Sequence, residues 1–357
     1  MTSQKAETTE WQEQERLTQR ELAQRLGVSQ ATVSRALAKN TRHSEQTRSK
    51  VVEEAERLGY RPDPVLASLN AYRRTRRPIL QGRSLVWFGG SPAQDRRSYE
   101  ALLFPAACKR AEALGYGMEY FWENEPGYSS QRYEQIFRTR GIAGVVFGPR
   151  LQPHARIELR IDDFAAVALG RSVDWPLVDR VSVDHFQTME ACYEAIREHG
   201  FTRIGFSMTE SYSERMAGLW TGAFLGQQLR NPPLARIPPL LDDDAHSGGK
   251  FEAWFKKWKP DAVITMGWHF GCLASLERMK VRFPKDVGVA LLVVPEHEAS
   301  LAGFSGIHEP VDDLARFVVD ILVGRIRNNE RGIPADRRVH LLPGTWFEGR
   351  TLAPLRG

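Results

Sequence analysis

The feature that most constrains this chain is a run of three short helix signatures between Leu17 and Gly59, each with its own start and stop. Thr18 followed by Glu21 forms a capping box and Leu17 can staple onto Leu22, so a first helix is predicted from Gln19 to about Leu26. Gly27 ends it, and Ser29 opens a second helix with Val28 and Val33 as its staple. A connection as short as Gly27-Val28-Ser29 leaves the two helices steeply crossed, in helix-turn-helix geometry. Leu22, Ala23, Leu26, Val33, Ala36 and Leu37 recur at helical spacing and make a shared core, whereas Gln30, Ala31, Ser34 and Arg35 point outward. A third helix, capped by Ser44 and ended by Gly59, adds Val51, Val52, Ala55 and Leu58 to that core. A plain three-helix fold carries the same pattern, so spacing alone leaves the function open.

Charge narrows the choice. Between Met1 and Arg77 there are 15 Lys and Arg against 10 Asp and Glu, which accounts for the whole formal surplus of +5. A basic module on a neutral body is the footprint of a chain that lays one end on phosphates, although a solvated basic face has the same charge. With 357 residues, the chain can build a small module plus a large α/β body, and 42% hydrophobic with 26% charged residues is ordinary globular composition. No apolar stretch approaches the length of a bilayer span, and Met1 to Gln14 lack the basic start and apolar run of a secretory signal. A cytoplasmic protein without membrane contact is expected. Cys108, Cys192 and Cys272 lie far apart without a Cys-x-x-Cys pair, so reduced, mostly buried thiols are expected rather than a disulfide framework or zinc site.

The ordered run Glu21-Leu22-Ala23, Gly27-Val28-Ser29, Thr32-Val33-Ser34-Arg35-Ala36-Leu37, Thr47-Arg48 and Leu58-Gly59-Tyr60-Arg61-Pro62 closely resembles the headpiece of the LacI family of bacterial regulators. The resemblance implies that the helix from Gln30 to Ala38 enters the major groove, with Gln30, Ala31 and Arg35 at base-reading positions. Arg35 can give two parallel hydrogen bonds to guanine, which discriminate by about 1–3 kcal/mol, while Ala31 offers apolar contact only. Thr18, Ser29, Thr32, Ser34, Asn40, Ser44 and Thr47 fall at positions that touch the DNA backbone and fix register. One headpiece reads a half-site, so the resemblance implies a homodimer on a near-palindromic double-stranded operator, acting as a repressor.

Asp63 can cap a short helix with Pro64 at its first position, running through Val65, Leu66, Ala67, Ser68, Leu69 and Asn70. In the family this segment orders on DNA and inserts a leucine into the minor groove; Leu69 matches that leucine, with Leu66 beside it. Burial of both leucines against the body is the alternative. Asp63 replaces the usual asparagine and Ala67 the usual arginine. The basic stretch from Tyr72 to Pro78 suits phosphate binding, and equally solubility.

From Ser84 onward, apolar runs of strand length alternate with amphipathic helices, the pattern of parallel sheets wound on both sides. Strands are predicted at Leu85 to Phe88, Met118 to Trp122, Ala143 to Phe147, Ala165 to Leu169, Ile204 to Ser207, Ala262 to Thr265 and Val287 to Val294. Helices are predicted at Tyr99 to Leu114, Met189 to His199 and Val311 to Arg327. The fold class expected is a small all-α helix-turn-helix domain followed by a two-lobed α/β periplasmic-binding-protein-like domain of doubly wound parallel sheets. By the resemblance, residues 15–61 form the headpiece and 62–80 the hinge helix and linker. Residues 84–199 with 306–327 form the first lobe and 200–305 with 328–357 the second, with a small-molecule effector, carbohydrate-related in class, bound between them.

Arg215 in Arg215-Met216-Ala217-Gly218 matches a family arginine that holds effector oxygens, with a surface salt bridge as the alternative. Tyr99 aligns with an aromatic at the cleft mouth, and Ser91 and Arg171 lie at strand ends where ligands gather. Gly267 and Trp268 stand where many relatives have Asn-Asp, and Val293-Val294 replace a common Asp-Asp. These departures remove acceptors a sugar pocket uses and point to a more aromatic site, in which Trp268 either stacks on a sugar face or fills core space. No P-loop, dinucleotide fingerprint or His-Glu-x-x-His is present, so neither enzyme nor cofactor is expected. Asp242-Asp243-Asp244 with His246, and His297 between Glu296 and Glu298, read as solvated surface rather than metal ligands. A DNA binder without effector control and a solute-binding protein remain the competing readings.

Overall fold

The computed structural model describes residues 19–37, 45–58, 84–92, 95, 98–244, 249–266, 271–295 and 301–352. The chain forms two compact units, Met1–Arg76 and Arg77–Gly357. In the first, α1 (Gln19–Leu26), α2 (Gln30–Leu37) and α3 (Glu45–Arg57) fall where the capping signals put them. Leu22, Ala23, Val33, Ala36, Val51 and Ala55 are buried together, with Leu26, Val28 and Leu58 packed against them. Val52, expected in this core, is only half-buried and stands outside the cluster, because successive side chains on a helix diverge and Val51 takes the inward place. The side chain of Leu37, the hinge segment 62–80 and the termini lie outside the described residues.

The second unit holds two six-stranded sheets. The first contains β1 (Ser84–Gly89), β2 (Gly117–Trp122), β3 (Ile142–Phe147), β5 (Ala165–Leu169), β7 (Asp179–Val183) and β13 (Val339–Leu342), in the order β13-β7-β5-β3-β1-β2. All its pairings are parallel, with Leu85 beside Met118 and Val167 beside Asp179. The short β4 (Ala155–Arg156) and β6 (Val173–Trp175) pair separately. Alternation along β1 decides which helix each residue meets. Leu85 and Trp87 share a cluster with Leu103 of α4 (Tyr99–Ala113) and with Val318 and Leu322 of α11 (Val311–Arg327), whereas Val86 and Phe88 pack with Tyr133 and Phe137 of α5 (Ser130–Thr139).

The second sheet runs β14 (Thr345–Phe347), β12 (Ser305–His308), β11 (Gly288–Leu291), β10 (Ala262–Thr265), β8 (Ile204–Met208), β9 (Leu240–Leu241), and only the β12–β14 pairing is antiparallel. Its helices are α6 (His185–Glu198), α7 (Glu210–Arg215), α8 (Leu219–Arg230), α9 (Gly249–Trp258) and α10 (Gly271–Arg278).

The lobe boundaries differ from those expected. Helix α6, expected in the first lobe, buries Met189, Cys192, Tyr193 and Ile196 in the core of the second. Strand β12 lies in the second sheet, although residues 306–327 were expected in the first lobe, and only α11 of that stretch packs there. Strand β13, expected in the second lobe, pairs with β7 in the first sheet. The chain therefore crosses between lobes at 183–185, 308–311 and 342–345. A buried ion pair helps hold β13 in place: Arg325 on α11 meets Asp179 on β7 at 2.7 Å, and the same carboxylate accepts the Arg338 N–H. No helix among the described residues is long and apolar enough to cross a membrane. Cys192 and Cys272 are buried and Cys108 half-buried, all as free thiols.

Candidate functional site

The turn between α1 and α2 closes in a Schellman arrangement. Gly27, at φ +63°, donates to the Gln24 carbonyl at 3.3 Å and Val28 donates to the Ala23 carbonyl at 3.1 Å, while Val28 packs on the small core. Ser29 then caps α2, its Oγ accepting the Thr32 N–H at 3.1 Å and lying 2.9 Å from the Thr32 hydroxyl. Gln30 is exposed at the first position of α2. Ala31, Ser34 and Arg35 lie on α2 and Thr47 on α3, but their side chains are outside the description, as are Thr18, Asn40, Ser44, Leu66 and Leu69 altogether.

In the second unit, a small cavity of about 50 Å³ lies where the two lobes meet. The first lobe supplies Tyr99 at the start of α4, Arg171 after β5 and Ser182 on β7; the second supplies His185 at the start of α6 and Tyr212 and Arg215 on α7. Glu309, in the crossover before α11, lines this cavity and also a neighbouring one of about 420 Å³ that continues along Val294, Pro295 and Asp312.

The Tyr99 hydroxyl donates to Glu309 Oε2 at 2.8 Å. Burial pushes the Glu309 carboxyl up to about 7, against the opposing pull of Tyr99 and Arg215. Burial, followed by the Glu309 charge, holds the Tyr99 phenol well above its usual range. The Arg215 guanidinium sits 4.0 Å over the Tyr212 ring and its Nη1 reaches the Arg150 carbonyl at 3.4 Å. Among the described residues it has no carboxylate partner, so the surface salt bridge open on sequence is not formed there. His185 is buried edge-on against Trp220, and burial, then the Arg171 and Arg215 charges, depress its imidazole to about 3, so it is neutral near pH 7. The Nε atoms of Arg171 and Arg215 and the Ser182 hydroxyl are buried without a hydrogen-bond partner. Such groups are costly to leave unpaired and are the ones a bound molecule would satisfy.

Of the residues expected around an effector, Tyr99, Arg171 and Arg215 come together here. Ser91 does not: its N–H donates to Glu100 and its carbonyl accepts the Tyr120 hydroxyl, so Glu100 and Tyr120 hold it at the end of β1. Trp268 lies outside the described residues; Val293 and Val294 are buried, and Val293 lines both cavities. His185, Ser182, Tyr212 and Glu309 were missed on sequence. Their one legible signal is position: the Ser182-Val183-Asp184-His185 run turns from strand to capped helix, and Glu309 sits between a strand end and Pro310. The acidic turn is used internally, since Asp242 pairs with Lys250 and Asp243 accepts from Ser211, and among the described residues no cluster is placed to hold a metal. His246 and His297 lie outside the described residues.

Residues 18–63 match the family described as bacterial regulatory proteins, lacI family, and residues 193–352 match a periplasmic binding protein-like domain. A probable HTH-type transcriptional regulator, EndR of Paenibacillus polymyxa, is 24% identical over 210 residues, a match spanning 56% of this chain and 58% of that relative's length. Among solved structures, the lac repressor dimer bound to operator and the anti-inducer ONPF superposes with a TM-score of 0.55 at 18% identity, covering 95% of this chain and 100% of the other. The CelR–cellobiose complex gives 0.54 at 18% identity over 94% of this chain and 100% of its own. A periplasmic binding protein/LacI transcriptional regulator from Alkaliphilus metalliredigens QYMF, complexed with D-xylulofuranose, gives 0.55 at 13% identity over 76% of this chain and 99% of its own. The structural likeness carries the fold, and the two family matches carry the kinship. One falls on the headpiece and the other on the two-lobed body, so the chain joins a headpiece of the lacI family of bacterial regulatory proteins to a periplasmic binding protein-like domain.

Proposed function

We propose that this protein is a sequence-specific DNA-binding transcriptional regulator, acting as a repressor, whose operator affinity is set by a small molecule bound between the lobes of its body. The observation that carries the reading is the headpiece itself. A Schellman turn and a serine cap fix α2 against α1, Val33 and Ala36 of α2 are buried, and Gln30 is left exposed where a recognition helix first meets base edges. Arg35 and Ala31 follow on the same helix and complete the base-reading set, Thr18, Ser29, Thr32, Ser34, Asn40, Ser44 and Thr47 hold the backbone, and Leu66 and Leu69 enter the minor groove as a pair from a homodimer. The lac repressor was seen as a dimer on operator, and that arrangement suits a headpiece that reads half of a near-palindrome. The inter-lobe cavity, with unsatisfied donors from both lobes, supplies the effector site, and such a regulator works on DNA in the cytoplasm.

The reading is tested by selecting bound sequences from random duplex DNA at stated salt with the purified protein and with its Arg35→Ala variant. A near-palindrome from the parent and loss of preference in the variant are expected, the lost bidentate pair being worth about 1–3 kcal/mol at its base pair. No enriched motif from the parent would overturn sequence-specific regulation, and an unchanged motif in the variant would remove Arg35 from the base-reading set.

A further inference from the structure

The class of effector can be read from the charges around the cavity, taking as given that this cavity is the sensing site. Arg171 reaches it from the first lobe and Arg215 from the second, and among the described residues neither guanidinium has a carboxylate within ion-pair distance. Both carry a buried Nε without a partner. Further positive charge stands near Arg171: burial lowers its guanidinium, the Asp184 charge opposes and the Arg337 charge adds to the lowering. Burial, then the Arg337 and Arg171 charges, lower Arg180, which spends its own donors on the Gly170 and Val173 carbonyls.

The available negative charge is committed elsewhere or weakened. Asp184 accepts the Gln187 N–H as the cap of α6 and supports the Arg171 guanidinium from beyond ion-pair distance, and Asp174 is paired with His154 at 2.6 Å. Glu309 holds the Tyr99 hydroxyl and titrates near neutrality. Asp312 and Asp313, at the mouth of the larger cavity, are both engaged by Arg316. His185, near enough to both guanidiniums to feel their charge, is neutral near pH 7 and adds no negative charge. Two forks of donors therefore face one small space across a hinge, together with the unpartnered Ser182 hydroxyl.

We propose that the effector is a small anion, a carboxylate or phosphate ester bridging Arg171 and Arg215, rather than a neutral sugar. Guanidinium forks match the two oxygens of a carboxylate or phosphate, and each such charge-assisted pair is stronger than a neutral hydrogen bond. Because the two arginines belong to different lobes, an anion held by both favours the closed arrangement and supplies the differential affinity that a switch requires. The polyol or hydrocarbon remainder of the molecule has the larger cavity to occupy, past Tyr99 and Val293.

The test uses the full chain and matched sets of probes: glucose, gluconate and glucose 6-phosphate; galactose, galacturonate and galactose 1-phosphate; glycerol, glycerate and glycerol 3-phosphate. Melting shifts and calorimetric titration are read for the parent and for Arg171→Gln and Arg215→Gln, after both variants are shown to unfold cooperatively without ligand. An anionic member should bind at least about tenfold more tightly than its neutral counterpart, and each variant should weaken it by about tenfold or more. The carboxylate and phosphate arms decide which anion is preferred. Equal binding of the neutral members, anion binding untouched by both substitutions, or binding by no member of the panel would overturn the proposal. Operator affinity measured with the same probes separates this inference from the functional reading. A neutral sugar that alters operator binding sinks the anion and leaves the regulator standing, whereas an arginine-dependent anion with no effect on operator binding does the reverse.

Discussion

Glu309 and Arg325 show how differently two buried charges act in this fold. Arg325 is 5% exposed and paired with Asp179 at 2.7 Å, so its replacement leaves the buried carboxylate beneath β13 without its guanidinium, held by the Arg338 N–H. Arg325→Ala should lower stability by about 3–5 kcal/mol, read from denaturant unfolding of the full chain, because breaking a buried pair costs far more than never having built it. A loss under about 1 kcal/mol would mean that water reaches Asp179. Glu309 behaves in the opposite sense. Its folded pKa of about 7 lies above the ordinary 4.5, so its contribution is fully present below about pH 4.5 and is lost as pH rises toward 7. The groups facing it are Tyr99, Tyr212 and Arg215. Glu309→Gln should therefore match the parent near pH 4 and exceed its stability by roughly 2–3 kcal/mol near pH 8. His185, depressed to about 3, loses stability as pH falls below its ordinary 6.5, and comparison with the Gln variant cancels that background. A difference between parent and variant that does not change with pH would show that the carboxyl is ionised throughout.

At the scale of elements, the α1–α2 corner was legible because each of its devices is local: a left-handed glycine, a serine cap and apolar spacing. Nothing lies within 4 Å of a Cβ built on Gly27, so Gly27→Ala carries conformational strain alone, about 1–2 kcal/mol. Ser29→Ala should remove about 1 kcal/mol through the lost cap. Both should speed hydrogen exchange of α1 and α2 amides while leaving β3 and β10 unchanged; equal loosening everywhere would contradict a local origin. Central strands such as β5 and β10 were equally plain, because burial on both faces makes them continuous apolar runs. The strands that decide the lobe boundaries were not. β12 reads Ser-Gly-Ile-His, and Gly306 is there because a Cβ would come within 2.2 Å of the Leu291 carbonyl, a reason visible only once the neighbouring strand is in place. β13 exposes Val339 and Leu341, so its sequence carries no core pattern. The cavity residues fared likewise: Arg215 was found by resemblance, whereas His185 and Glu309 become a site only when the crossovers bring them beside Arg171.

For the whole molecule, the division into two units predicts that sensing and DNA reading are separable, with each core built from its own residues. Residues 77–357 alone should therefore keep the effector response of the full chain. An effector at a hundredfold its Kd contributes about 2.7 kcal/mol to the state it binds, and the melting shift should be the same with and without the first 76 residues. Operator binding should vanish from the shortened chain. In the full chain the two activities are tied by linkage, which makes their coupling measurable from either end. If saturating effector weakens operator binding about tenfold, saturating operator must weaken effector binding by the same factor, a coupling of about 1.4 kcal/mol. Calorimetric titration of the effector into the protein alone and into the protein–operator complex gives that second number. Equal affinities in the two titrations, alongside an effector-dependent operator affinity, would break the cycle and show that the small molecule acts on the DNA or on assembly rather than through the cavity between the lobes.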